Sequence, residues 1–182
     1  MSKLFKRTTF YALAIALFAA VGIGSTFNPF SSEAGKVAAL QVEGVETQPF
    51  VKGSLTSIVT ARSGRPFLVV FWSTYCGVCM AEMDVWRALL EERDDFEVVM
   101  VSTNDIEMAD RLNAILNEKG LMGVESWAFA DPIPARVRAS VDKAWRGTLP
   151  YIRVYDRDGS VTASTGSMHK EDVEAWLDSQ AG

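Results

Sequence analysis

The chain of 182 residues contains two cysteines, Cys76 and Cys79, three apart in the stretch FWSTYCGVCMAEM (71–83). Two thiols at that spacing support three kinds of chemistry. The first is a structural crosslink. It would close a loop of four residues, for which the chain-entropy estimate is about 2 kcal/mol at best, less than longer loops give. The second is half of a tetrahedral metal site, but there is no second cysteine pair and the only histidine is His169. A Cu(I) site made from the two thiolates, with Met168 or His169, is the metal-binding alternative. The third is a pair that cycles between dithiol and disulfide. It accounts best for where the cysteines sit, between a buried strand and the helix that follows it. Cys76 at a helix N-terminus would face free backbone N–H groups and the positive end of the dipole, which favour a thiolate. Such thiols have pKa values lowered from about 8.5 to between about 3.5 and 7.5. Cys79, one turn deeper, would then attack a mixed disulfide on Cys76 and release the partner.

The elements that must hold this pair follow from hydrophobic pattern. FLVVFW (67–72) is a continuous β-branched and aromatic run, as expected for a strand buried on both faces. Cys79, Met83, Trp86 and Leu90 recur at helical spacing on one stripe. FEVVMVS (96–102) is a second buried strand. Asn104 with Glu107 makes a capping-box pattern for a helix carrying Leu112, Ile115 and Leu116 and ending at Gly120. WAFA (127–130) reads as a short strand, and Asp131-Pro132 as entry to a helix with Val137 and Val141 inside. YIRVY (151–155) and SVTAS (160–164) flank DRDG, a hairpin turn. A last helix over 168–179 buries Val173, Trp176 and Leu177, with Ser167 as its cap. The expected order β-α-β-α-β-α-β-β-α is an α/β fold, a mixed central sheet with helices on both faces.

The rest of the chain bounds the setting. Composition is globular, with 48% apolar and 23% charged residues, and the net charge of −5 argues against a nucleic-acid partner. Lys3, Lys6 and Arg7 precede FYALAIALFAAVGIGSTF, and the next charge is Glu33. A basic start followed by an apolar run is an export signal. The strongly apolar part spans 10–23, which suits a cleaved signal; the uncharged stretch 8–32 is long enough to span a bilayer, which favours a retained anchor. The expected organisation is a signal peptide or signal anchor over 1–27, a linker over 28–49 with room for one short strand, and a domain over 50–182. Either treatment of the leader puts that domain in an extracytoplasmic, periplasmic-side, disulfide-permissive compartment.

With these residues in view, the sequence resembles the thioredoxin superfamily, and within it the exported TlpA/ResA-type thiol–disulfide oxidoreductases. FWSTYCGVC after a buried strand is similar to the group's FWxxWCxxC. Glu82 falls where the group carries an acid in CxxCxxExP, and GTLPYIRVYDRDGSV looks like its cis-proline strand and hairpin. The resemblance covers roughly 50–180 and implies a thioredoxin-like fold. It makes Cys76 the nucleophile and Cys79 the resolving thiol, with no cofactor. Pro150 would be the cis-proline facing the cysteines, Leu149 would offer backbone hydrogen bonds to an extended substrate, and Gly166, with Thr165 and Ser167, would form the neighbouring loop. Tyr75 and Val78 would complete the substrate surface. Glu82, one turn beyond Cys79, could exchange a proton with that thiol and raise its pKa.

Implied partners are disulfide-bearing or dithiol exported proteins, such as apocytochromes or copper-site proteins, and a membrane thiol–disulfide electron donor, with the N-terminal segment in the membrane. Some positions depart from the group. Val70 stands where thioredoxin has a buried aspartate, Asp84 where a proline is usual, and Tyr75 where a tryptophan is usual. Gly77-Val78 lacks the histidine of strongly oxidising relatives, which favours a reducing potential. The PxxxTxxC motif of peroxiredoxins is absent, Val69 and Ser73 standing in its place. A copper-binding metallochaperone using the CxxC pair remains the alternative from another class. His169 reads as an exposed residue of the last helix.

Overall fold

The structure, a computed structural model, describes residues 46–180. The expected leader and most of the linker lie outside the described residues. None of the described helices is long and apolar enough to cross a membrane.

The chain runs β1 (Gln48–Phe50), α1 (Ser54–Ala61), β2 (Phe67–Trp72), α2 (Gly77–Glu92), β3 (Glu97–Asp105), a 3₁₀ turn (Ile106–Met108), α3 (Ala109–Glu118), β4 (Glu125–Phe129), α4 (Pro134–Val141), β5 (Tyr151–Tyr155), β6 (Val161–Thr165) and α5 (Lys170–Ser179). The strands form one sheet in the order β1-β4-β3-β2-β5-β6. The first four are mutually parallel, joined by helical crossovers, and β5 and β6 are antiparallel additions. The mixed sheet of the sequence reading is therefore observed.

β2 lies at the middle of this sheet, and every one of its residues is buried. Its side chains alternate between two apolar layers. Leu68, Val70 and Trp72 meet Cys79, Met83, Trp86 and Leu89 of α2, Leu112 and Leu116 of α3, and Val173 and Leu177 of α5. Phe67, Val69 and Phe71 meet Ile58 of α1 and Val137 and Val141 of α4. Helices thus cover both faces, and a continuous apolar run is the pattern such a strand requires. The DRDG turn also forms as expected: Asp156 N donates to Ser160 O (3.0 Å), and Gly159 takes a positive φ of 87°.

The differences from the sequence reading have local causes. α1 was not expected, because SLTSIVTA is rich in Ser, Thr and Val, which lower helix propensity, and only Ile58 of its apolar residues is fully buried. β1 is three residues long and crosses the expected boundary at 50. In α2 the inward residue is Leu89, while Leu90 is half-buried. Asn104 caps no helix: β3 continues through it, and Asp105 Oδ1 accepts from Glu107 N (3.0 Å) to start the 3₁₀ turn instead. α4 begins at Pro134, two residues after the expected Pro132, with Asp131 Oδ1 accepting from Ile133 N (2.8 Å) in the turn before it. α5 begins at Lys170 and is preceded by His169, whose side chain makes no cap; Ser167 lies further back in the loop. α3 does stop as expected. Gly120, at φ 73°, lets Leu121 N donate to Leu116 O (2.7 Å).

Candidate functional site

The C-terminal ends of β1, β4, β3 and β2 share one edge of the sheet, since these strands are parallel. The same edge holds the start of β5 and the end of β6, which run the other way and back. Open α/β sheets place their sites at this edge.

β2 ends at Trp72, and Ser73–Tyr75 make a tight turn in which Cys76 N donates to Ser73 O (3.0 Å). Cys76 is the N-cap of α2, and its sulfur accepts from Cys79 N (3.1 Å). The two cysteines are joined as a disulfide, with Cα atoms 5.2 Å apart. Cys76 is half-buried and Cys79 is 2% exposed, so the outer sulfur is the one a partner can reach. Tyr75 and Val78, on either side of it, are 85% and 54% exposed. Large apolar side chains left in solvent beside a reactive sulfur suit contact with an apolar or extended partner.

Across the sheet, the antiparallel register pairs Phe71 with Tyr151. One step further sets Pro150 beside Trp72, at the point where the cysteine turn leaves β2. The Leu149–Pro150 peptide is cis. Leu149 packs against both apolar layers. Gly166 N donates to Pro150 O (2.9 Å), and Gly166 has a φ of 97°, which only glycine adopts freely. Trp145 holds the approach to this segment. Its ring stacks on Tyr151 at 4.6 Å, and its indole N–H donates to Thr148 O (2.9 Å). Cys76, Cys79, Leu149, Pro150 and Gly166 therefore converge on one sheet edge from three separate chain segments.

Glu82 lies beneath this surface rather than on it. It is 4% exposed, and its Oε1 accepts from Met168 N (2.7 Å) in the loop between Gly166 and α5. Burial pushes its pKa above the ordinary 4.5, opposed by the Met168 amide and the nearby Trp86 indole. Among the described residues, Glu82 Oε2 and Trp86 Nε1 have no hydrogen-bond partner. Glu82 is thus a buried carboxyl three residues beyond Cys79 on α2. Because the folded-state pKa is raised, the neutral carboxyl is the form the fold favours. Its contribution to stability is complete below about pH 4.5 and is lost as pH rises through the folded pKa. For the variant Glu82→Gln, which does not titrate, the midpoint of thermal unfolding relative to wild type should move in the variant's favour by a few degrees between pH 4.5 and neutrality. A difference that stays flat across that range would show an unshifted carboxyl.

Val70 is 1% exposed in the layer that holds Cys79, so no carboxylate lies beneath the pair at that position. Trp72, Trp86 and Trp145 are buried, and Trp176 is half-buried with its indole N–H donating to Asp156 Oδ1 (2.6 Å). Asp84 is exposed and carries an ion pair with Lys119. His169 is exposed, and among the described residues no group of three or more His, Cys, Asp or Glu side chains could hold a metal ion.

Sequence reasoning missed Asn104. It is 7% exposed at the end of β3, and its side chain reaches across to the turn before Cys76. The signal was a polar amide closing the apolar run VVMVS, which the helix-cap reading absorbed.

These features define a thioredoxin-like fold with a CxxC disulfide at the start of its second helix. Solved structures with this architecture include a secreted disulfide oxidoreductase of Mycobacterium tuberculosis homologous to E. coli DsbE. It is 18% identical over 66% of this chain and 85% of that one, with a TM-score of 0.51. Also similar is a thioredoxin-family thiol:disulfide interchange protein from Chlorobium tepidum, at 20% identity over 68% and 84% of the two chains and a TM-score of 0.52. The M. tuberculosis DsbF structure, captured in mixed oxidised and reduced forms, is 16% identical over 66% and 84%, with a TM-score of 0.53. Many of the structural neighbours are thiol–disulfide oxidoreductases of the thioredoxin family. At these identities the likeness establishes the fold. No protein-family model matches the sequence, and no curated protein sequence matches it.

Proposed function

We propose that this protein is an extracytoplasmic thiol–disulfide oxidoreductase of the TlpA/ResA type that reduces disulfides in other exported proteins. The observation that carries this reading is the half-buried Cys76 sulfur at the N-cap of α2, joined to the buried Cys79 and set at the same sheet edge as Pro150 and Gly166.

In the reducing direction, the Cys76 thiolate attacks one sulfur of a substrate disulfide and expels the other as a thiolate. Cys79 then gives up its proton and attacks Cys76, releasing the second substrate thiol and leaving the Cys76–Cys79 disulfide. Two electrons pass from the pair to the substrate. A membrane dithiol donor would return the pair to its reduced form. Glu82, one turn along α2 from Cys79, would take the Cys79 proton. Leu149 would offer its backbone to an extended segment of the substrate, with Tyr75 and Val78 in contact beside the sulfur. The basic start and apolar run of the leader support export and a membrane anchor on the periplasmic side. Apocytochromes and copper-site proteins are the substrate classes that the resemblance suggests.

The test is the reduction potential of the pair in the purified full chain, measured by equilibration in thiol–disulfide buffers followed by alkylation of free thiols. With Gly77-Val78 offering no imidazole to stabilise the Cys76 thiolate, a value near or below about −250 mV is expected, close to thioredoxin. A value near about −120 mV would make the protein an oxidant, and a pair that does not cycle would end the oxidoreductase reading.

A further inference from the structure

The backbone ladder between β2 and β3 is parallel, with Trp72 opposite Ser102 as its last pair. Beyond that point β2 turns toward α2, and its amides lose their strand partners. Buried amides without partners are costly, so something must replace the ladder. Side chains do so. Thr103 Oγ1 donates to Trp72 O (3.3 Å), and Asn104 Oδ1 accepts from Thr74 N (3.0 Å). Asn104 Nδ2 donates to Thr74 Oγ1 (3.1 Å), so the amide grips Thr74 by backbone and side chain together. The remaining capacity of Asn104 is also used. Oδ1 accepts from Ser102 Oγ (2.9 Å), and Nδ2 donates to Met108 Sδ (3.6 Å). The residue needs a donor and an acceptor at one length: aspartate lacks the N–H, glutamine is a methylene longer, and leucine leaves the Thr74 amide unpaired.

Thr74 stands two residues before Cys76, inside the turn closed by Cys76 N donating to Ser73 O. We propose that Asn104 is a positioning residue for Cys76: by clamping Thr74 from β3 it fixes the turn that presents the nucleophile at the start of α2. Asn104 touches neither sulfur. It acts through the backbone, holding Cys76 where its sulfur meets the Cys79 N–H, and so governs how well the helix terminus stabilises a thiolate. This inference rests on the oxidoreductase reading, because positioning matters only if Cys76 reacts.

The experiment is the rate of Cys76 alkylation by iodoacetamide in the reduced full chain, followed against pH, with thermal unfolding measured in parallel. Asn104→Ala should slow alkylation at pH 7 by about 3–10-fold and move its midpoint toward the ordinary cysteine value of about 8.5. Thr74→Ser keeps both bonds to Asn104 and should alkylate as wild type does. Ser102→Ala removes a partner of Asn104 without freeing Thr74; it should lower the unfolding temperature and leave alkylation unchanged. If Asn104→Ala does not fold, Thr74→Val, which removes the Oγ1 contact alone, should show a smaller slowing in the same direction. An alkylation profile for Asn104→Ala (or, failing that, Thr74→Val) that matches wild type, with wild type itself activated, overturns the inference and leaves the function standing. Equal slowing in Ser102→Ala also overturns it, since loosening in general would then be the cause. A wild-type midpoint at the ordinary value also overturns this inference, while the oxidoreductase reading is decided separately by whether the pair cycles in thiol–disulfide buffers.

Discussion

Serine at position 76 should reduce turnover of a disulfide substrate by at least about a thousandfold, measured with a protein disulfide and an external dithiol. The hydroxyl cannot ionise near neutral pH, and Cys79, at 2% exposure, cannot replace it as the attacking group. Serine at position 79 should give a different result. Attack by Cys76 still occurs, but no thiol remains to resolve the mixed disulfide. A covalent complex with the substrate should accumulate on a non-reducing gel and disappear on adding reductant. Should the complex form instead with Cys76→Ser, the roles of the two cysteines are reversed. The asymmetry in exposure makes that outcome chemically awkward, because the substrate would have to reach a sulfur on a residue only 2% exposed.

Val70→Asp should cost about 3–5 kcal/mol of stability at pH 7, a fall of roughly 10–20 °C in the unfolding midpoint. Val70 is 1% exposed, with Met100 and Ile152 on the neighbouring strands and Trp72 and Met83 in the same layer. The buried side chains of this layer are apolar or indole, and none carries a positive charge to pair with a carboxylate. The penalty falls on the charged form, so the pKa of the new group rises on folding and stability is lost as pH increases through it. The deficit should therefore shrink as pH is lowered toward about 4. Denaturant unfolding at both pH values checks this, and a cost below about 1 kcal/mol at pH 7 would mean that water reaches the layer beneath the disulfide. Among the described residues the buried carboxyl is Glu82, on α2 and bonded to the Met168 amide, rather than a group on the central strand.

Much of the fold was legible because its central strands are extreme. FLVVFW and FEVVMVS are apolar runs that admit few other readings, and DRDG between alternating residues gives a hairpin on local chemistry alone. The cysteine pair was legible from its place between a buried strand and a helix, whereas Pro150 and Gly166 entered only through the resemblance carried by GTLPYIRVYDRDGSV and the loop after it. What escaped notice was either short or decided by tertiary contacts. β1, with three residues and no pattern of its own, was foreseen only as room for one short strand in the linker. α1 rests on Ile58 against a weak helix-forming sequence. Asn104 and Glu107 matched a cap by spacing, yet β3 stays extended past Asn104, with Asp105 paired to Phe129 of β4, and the cap falls to Asp105. The burial of Glu82 likewise depends on Met168, 86 residues away. No window around the helix contains that information.

The order in which the site's parts occur along the chain bears on when the pair becomes reactive. Cys76 and Cys79 precede Asn104, Pro150 and Gly166, and synthesis and export deliver the N-terminal part first. A nascent chain that has emerged only as far as α2 carries two ordinary thiols, with no clamp on Thr74 and no strand beside Trp72. If Cys76 is the nucleophile proposed above, its tuned form would exist only once β3, β5 and β6 have joined the sheet. On the proposed reading, the pair's reactivity would be delayed until the domain could also restrict which disulfides approach it, and an unfinished chain would be spared promiscuous exchange with its neighbours.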